Sequence, residues 1–171
     1  MQLSTPKAVA LVAVAALAGA ATVGTTAFAG STAKAKAKKA SYPVTLLVDT
    51  ALTPSVPTDP VIDGVTAGSA PWVLTRGDYT LFSNGVVRAD VHGLVIPALG
   101  TPGPVTEVDF ALYCGGSTTA ASVTPSTPLS TKGDASIVTR VTVPTTCLGP
   151  QVLVEPNGLS TIYLTASGFG G

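Results

Sequence analysis

The stretch Tyr79-Thr-Leu-Phe-Ser-Asn-Gly-Val-Val-Arg-Ala-Asp-Val-His92 decides the fold. Asn84-Gly85 suits the positive φ angles of a type I′ turn, whose twist matches that of paired strands. In the second arm Val87, Ala89 and Val91 alternate with Arg88, Asp90 and His92. That period of two predicts a strand with one buried face and one wet face. A lone hairpin is marginal in water, so further strands must complete the body.

The flanking sequence offers them. Val105 to Cys114 places Val108, Phe110, Leu112 and Cys114 on one face and Glu107, Asp109, Ala111 and Tyr113 on the other. Ala135 to Val143 alternates again and stops at Pro144. Val44–Thr50, Trp72–Thr75, Ala121–Thr124, Gln151–Glu155 and Thr161–Thr165 are shorter candidates, with Asn157-Gly158 as a turn between the last two. Pro54, Pro57 and Pro60 mark a loop or an edge, because proline donates nothing to a ladder. Seven to nine short strands with turn residues between them predict an all-β domain over 42–171. The expected architecture is an immunoglobulin-like or related antiparallel β-sandwich.

Cys114 and Cys147 are the chain's two cysteines. Their spacing fits no zinc motif and no redox C-x-x-C, so a disulfide is expected, joining one sheet to the other.

The formal net charge is zero, from nine basic and nine acidic residues. It is the sum of unlike parts. Lys7 is followed by an apolar run from Ala8 to Ala21 and by Ala27-Phe28-Ala29. Positive start, apolar core and small residues at −3 and −1 form a secretory signal over 1–29, with cleavage expected after Ala29. The run is short of the roughly 20 residues a spanning helix needs. Residues 30–41 are low-complexity and hold Lys34, Lys36, Lys38 and Lys39. They lack the apolar side chains that would offset the entropy of ordering, so a disordered linker is expected. The four lysines are a candidate electrostatic tether to an anionic wall polymer or membrane surface; the competing reading is a solvated spacer. From Ser41 onward four bases stand against nine acids. That acidic balance excludes a general nucleic-acid binder.

The chemistry-bearing motifs are sparse. There is no G-x-S-x-G, Walker loop or dinucleotide fingerprint. His92 is the lone histidine and lies two residues from Asp90. It reads either as a base oriented by a carboxylate or as a wet-face strand residue. Glu107 and Asp109 share a strand face at a spacing compatible with paired carboxylates in glycosidases, and equally with an ordinary polar face. Asp59-x-x-x-Asp63-Gly64 matches part of a calcium loop but lacks the terminal glutamate, so an acidic turn is expected and no metal or cofactor. Trp72 and Tyr113 are the rings that could form a sugar platform; the competing reading is core filling.

Asp90-Val-His-Gly-Leu94, Leu112-Tyr-Cys-Gly-Gly116, Ser130-Thr-Lys-Gly-Asp134 and Pro144-Thr-Thr-Cys-Leu-Gly-Pro150 resemble spaced blocks of small secreted β-rich proteins of high-GC Gram-positive bacteria (actinobacteria), a functionally uncharacterised group. The resemblance spans roughly residues 79–168. It implies export, the disulfide and a β fold, and it carries over no catalytic residue. The sequence is therefore read as an exported, non-enzymatic binding or cell-envelope structural protein. Its expected partner is an anionic wall polymer or another extracellular protein. The alternatives are a carbohydrate- or wall-binding module using Trp72, Tyr113 or His92, and a secreted hydrolase.

Overall fold

A computed structural model describes residues 43–168. The signal segment and the lysines from Lys34 to Lys39 lie outside the described residues. Within them the protein is all-β, with no helix; accordingly no helix is long and apolar enough to cross a membrane.

The strands are β1 (Leu46–Pro54), β2 (Thr66–Ala67), β3 (Arg76–Phe82), β4 (Val86–His92), β5 (Glu107–Tyr113) and β6 (Ser122–Val123). There follow β7 (Thr127–Pro128), β8 (Ala135–Arg140), β9 (Gln151–Pro156), β10 (Ile162–Tyr163) and β11 (Thr165–Ser167). Nine of them form one antiparallel sheet in the order β6-β5-β9-β11-β1-β3-β4-β8, with β7 also on β5. β1 is the seam. Leu46–Ala51 pair with β3 and Leu52–Pro54 pair with β11. The sheet curls about this strand into a β3 half (β3, β4, β8) and a β9 half (β11, β9, β5 and the short edge strands).

The main core fills the inside of the curl. Tyr79, Leu81, Val87, Ala89 and Val91 from the β3 half meet Val108, Phe110, Leu112, Val152 and Val154 from the β9 half. β4 follows the period-two expectation: Val87, Ala89 and Val91 are buried, and Arg88 and His92 are exposed. The all-β antiparallel expectation holds, and the two halves belong to one continuous curled sheet because β1 pairs in both.

The turns also differ from the sequence reading. At Asn84-Gly85 only Gly85 has positive φ, and its amide donates to the Phe82 carbonyl at 2.8 Å. This is a three-residue connection closed by a left-handed glycine. Type I′ geometry occurs instead at Asn157-Gly158 (φ 51° and 69°), where the Leu159 amide donates to the Pro156 carbonyl at 2.8 Å. Trp72–Thr75 is not a strand: Val73 makes a single bridge to Val95. Thr161–Thr165 divides into β10 and the start of β11, which serve different sheets.

The largest departure is in β5 and β9. The face carrying Asp109, Ala111 and Tyr113 is not wet. Every residue of β5 after Glu107 is buried. Ile62, Val65, Ala67 and Tyr163 pack over this outer face in a second core with Ala111, Tyr113, Leu153 and Ala166. The covering elements are residues 55–65 and the two-stranded parallel ribbon of β2 and β10. Alternation failed as a guide here because the cover comes from a proline-rich segment with almost no strand of its own.

Cys114 and Cys147 form a disulfide with a Cα–Cα distance of 4.9 Å. It does not bridge two sheets. Cys147 lies in the connection from β8 to β9, and Cys114 follows β5, the ladder neighbour of β9. The Gly115 amide donates to the Leu148 carbonyl at 2.7 Å beside it. The bond thus pins the crossover between the halves to the end of the β9 half.

Candidate functional site

Three places gather polar or concave features. The first is the wet surface of the β3 half. Register pairs Arg76 with His92 and Asp78 with Asp90 across β3 and β4. Two opposed carboxylates would repel, and Arg76 bridges them: Nε lies 2.7 Å from Asp78 Oδ2 and the guanidinium 3.3 Å from Asp90 Oδ2. His92 sits between two acids, with Nε2 3.3 Å from Asp90 Oδ2 and Nδ1 3.4 Å from Asp134 Oδ1. A hydrolytic relay needs one imidazole nitrogen facing a carboxylate and the other facing a hydroxyl. Here both face carboxylates. The nearby Ser130 hydroxyl donates to Asp134 Oδ2 at 3.4 Å and accepts from the Asp134 and Lys132 amides. The cluster organises the turn before β8, and Asp134 Oδ1 also accepts from the Gly93 amide.

The second is a pocket of about 290 Å³ at the end of β5 and β9 remote from the disulfide. Trp72, Ile96, Val105, Leu159, Ile162 and Leu164 are the large apolar side chains of its wall. None of its lining side chains is titratable. The volume is at the lower end for small-molecule sites, which start at about 300 Å³ and are mostly apolar. Trp72 is 5% exposed, and a side chain at Gly68 would reach within 2.9 Å of its indole nitrogen. Glycine at position 68 therefore leaves room for the indole.

The third is the covered outer face of β5 and β9. Asp109 and Glu155 are directly opposed in the ladder. They are 6% and 2% exposed. The Tyr113 hydroxyl donates to Glu155 Oε1 at 2.7 Å. Asp109 Oδ1 is buried with no hydrogen-bond partner. Burial raises the Glu155 pKa above the usual carboxylate range; the Asp109 charge adds to this and the Tyr113 hydrogen bond opposes it. Burial, helped by the hydrogen bond to Glu155, likewise raises the Tyr113 phenol.

The structure thus redistributes the residues singled out in the sequence. Trp72 and Tyr113 do not form an exposed sugar platform: Tyr113 is 1% exposed and lies in the second core, while Trp72 belongs to the main core. Glu107 and Asp109 do not act as an open pair, since Asp109 faces Glu155 beneath the cover. Asp59 caps a turn by accepting the Val56 amide at 2.8 Å, and Asp63-Gly64 is a tight turn with both φ angles positive. Among the described residues no group of three or more His, Cys, Asp or Glu could hold a metal ion. Glu155 was missed because its partner is set by register, which the sequence does not display. The pocket was missed because its wall comes from loops. No protein-family model, curated protein or solved structure matches this chain.

Proposed function

We propose that this chain is an exported protein that acts by binding at the cell exterior, without catalysing a reaction. The apolar pocket beside Trp72 carries this reading. Its wall offers shape and apolar surface but no acid, base or thiol, so it is suited to holding a compact apolar group. Supporting the exported location are the signal-like residues 1–29 and the disulfide, which persists in oxidising compartments. The resemblance to small actinobacterial secreted proteins favours the same placement. Retention at the envelope would come from Lys34 to Lys39 on an anionic wall polymer.

Trp72 is the chain's sole tryptophan and lines the pocket, so its emission is a single-site probe of occupancy. Titration with 1-anilinonaphthalene-8-sulfonate or a short-chain fatty acid should change that emission saturably. Leu159 is 49% exposed at the rim, and Leu159→Asp should abolish the change while leaving the fold intact. Absence of any saturable change would remove the reading. Turnover of a simple ester or glycoside that disappears in His92→Ala would replace it with the hydrolase. Retention on purified wall should fall with added salt, since exposed charges are screened over about 10 Å at 0.1 M.

A further inference from the structure

We infer that Asp109 and Glu155 hold one proton between them, and that losing it loosens the cover made by residues 55–67 and β10. The inference is independent of the pocket and its ligand. It starts from geometry. Directly opposed residues of an antiparallel pair have Cβ atoms about 4.5–5.5 Å apart. Asp109 and Glu155 occupy such positions, and both are more than nine-tenths buried.

Among the described residues no positive charge pairs with them. The titratable groups around the pair are Tyr113, bonded to Glu155, and Glu107, two residues from Asp109 along β5; farther out, Asp63 of the covering segment acts on Tyr113 and Asp59 on Tyr163 of β10. All are acids or phenols. The Tyr163 hydroxyl is taken by the Pro60 carbonyl at 2.8 Å. No described Lys, Arg or His forms an ion pair with either carboxylate; the ion pairs lie on the β3 half.

Two adjacent buried carboxylates without a cation cannot both ionise cheaply. One donor is available, the Tyr113 hydroxyl, and it serves Glu155. Asp109 Oδ1 has none. A proton retained by the pair removes one of the two buried charges. The raised pKa of Glu155 agrees in direction.

The stability consequence has a fixed sign. Unfolded carboxylates titrate near pH 4. Above that value the unfolded chain has released its protons while the folded pair still holds one. Stability therefore falls as pH rises from about 4 through the folded value, and is flat beyond it. The strain falls on the cover above the pair, whose ribbon is held by Thr66 N–H to the Thr161 carbonyl and Gly68 N–H to the Tyr163 carbonyl.

The test uses the full chain with its disulfide intact. Tm should be lower at pH 8 than at pH 5 by roughly 3–6 °C. Glu155→Gln keeps an acceptor for Tyr113 and gives Asp109 an N–H donor. It should raise Tm at pH 8 and flatten the pH dependence. Carbon-13 carboxyl shifts of the unmutated protein provide a readout independent of variant folding: the Glu155 carboxyl should titrate above the usual carboxylate range. Amides of Thr66 and Gly68, corrected for intrinsic exchange, should lose protection first as pH rises. The idea is overturned if the Glu155 carboxyl titrates within the usual carboxylate range, or if Glu155→Gln keeps the wild-type pH slope. A Tm at pH 8 raised by millimolar calcium in wild type but not in Glu155→Gln would also overturn it, in favour of a cation between the carboxylates.

Discussion

The β3 half and the β9 half share an alphabet of Val, Leu, Ala and Thr, yet they meet water differently. The β3 half is buried on its inner face alone. Its outer face carries Arg88, His92, Val138 and Arg140, all exposed. The β9 half is buried on both faces along β5 and β9. Charge divides the same way. All four bases after Ser41 belong to the β3 half or its turns, together with Asp78, Asp90, Asp134 and Asp49, which lies on the part of β1 that pairs with β3. The remaining five acids, Asp59, Asp63, Glu107, Asp109 and Glu155, belong to the β9 half and its cover. The excess negative charge of the domain is therefore carried by one half. The lesson is that covering a sheet's second face turns an ordinary polar strand position into a buried acid.

This contrast can be broken at graded cost. The largest effect is expected at the joint between the halves. Replacing Cys114 and Cys147 by alanine opens a loop spanning 33 positions, and should lower stability by about 3–4 kcal/mol on the loop-entropy account. Denaturant midpoints of the variant and parent would measure it. Matched truncations of the two outer faces come next. Leu153 is fully buried under the cover, while Val138 is 71% exposed. Leu153→Ala should cost about 3 kcal/mol. Val138→Ala should stay within about 0.5 kcal/mol. Equal costs would mean that the cover is not a packed layer.

Tyr113→Phe probes the buried acids. It should cost roughly 1–2 kcal/mol. The loss should be larger at pH 8 than at pH 5, because the removed hydrogen bond favours the ionised form of Glu155 and holds its pKa down. A loss independent of pH would show that the hydroxyl serves packing alone. The smallest effect belongs to the exposed ion pairs. Arg76→Ala should cost less than about 1 kcal/mol and nothing measurable in 1 M salt, since the Arg76 side chain is 64% exposed. Its salt dependence in thermal melts would check the point.

How far the sequence revealed this differs between the halves for the same reason. The β3 half was legible because one face is wet, so Val87, Ala89 and Val91 stand out against Arg88, Asp90 and His92. β5 and β9 were located from their apolar content, but the environment of Asp109 and Tyr113 was not. Burial of their face depends on residues 55–65, whose prolines signal a loop and say nothing about where it lies. The disulfide was legible from cysteine number, whereas its place within the β9 half required the strand order. The pairing of Asp109 with Glu155 depends on a ladder between residues 46 positions apart, which no local pattern encodes.

The seam strand carries a consequence for the order of assembly. β1 is the first described strand and β11 the last, and Leu52 pairs with Ser167. The curl therefore closes only when its two most distant strands meet. Such long-range closure is slow relative to local hairpin formation. The β3–β4 hairpin can form early, but Leu52–Pro54 of β1 have no ladder partner until residues 165–167 have been made. The topology thus keeps the two halves unjoined until β11 is available, and the closing of the curl is a late step.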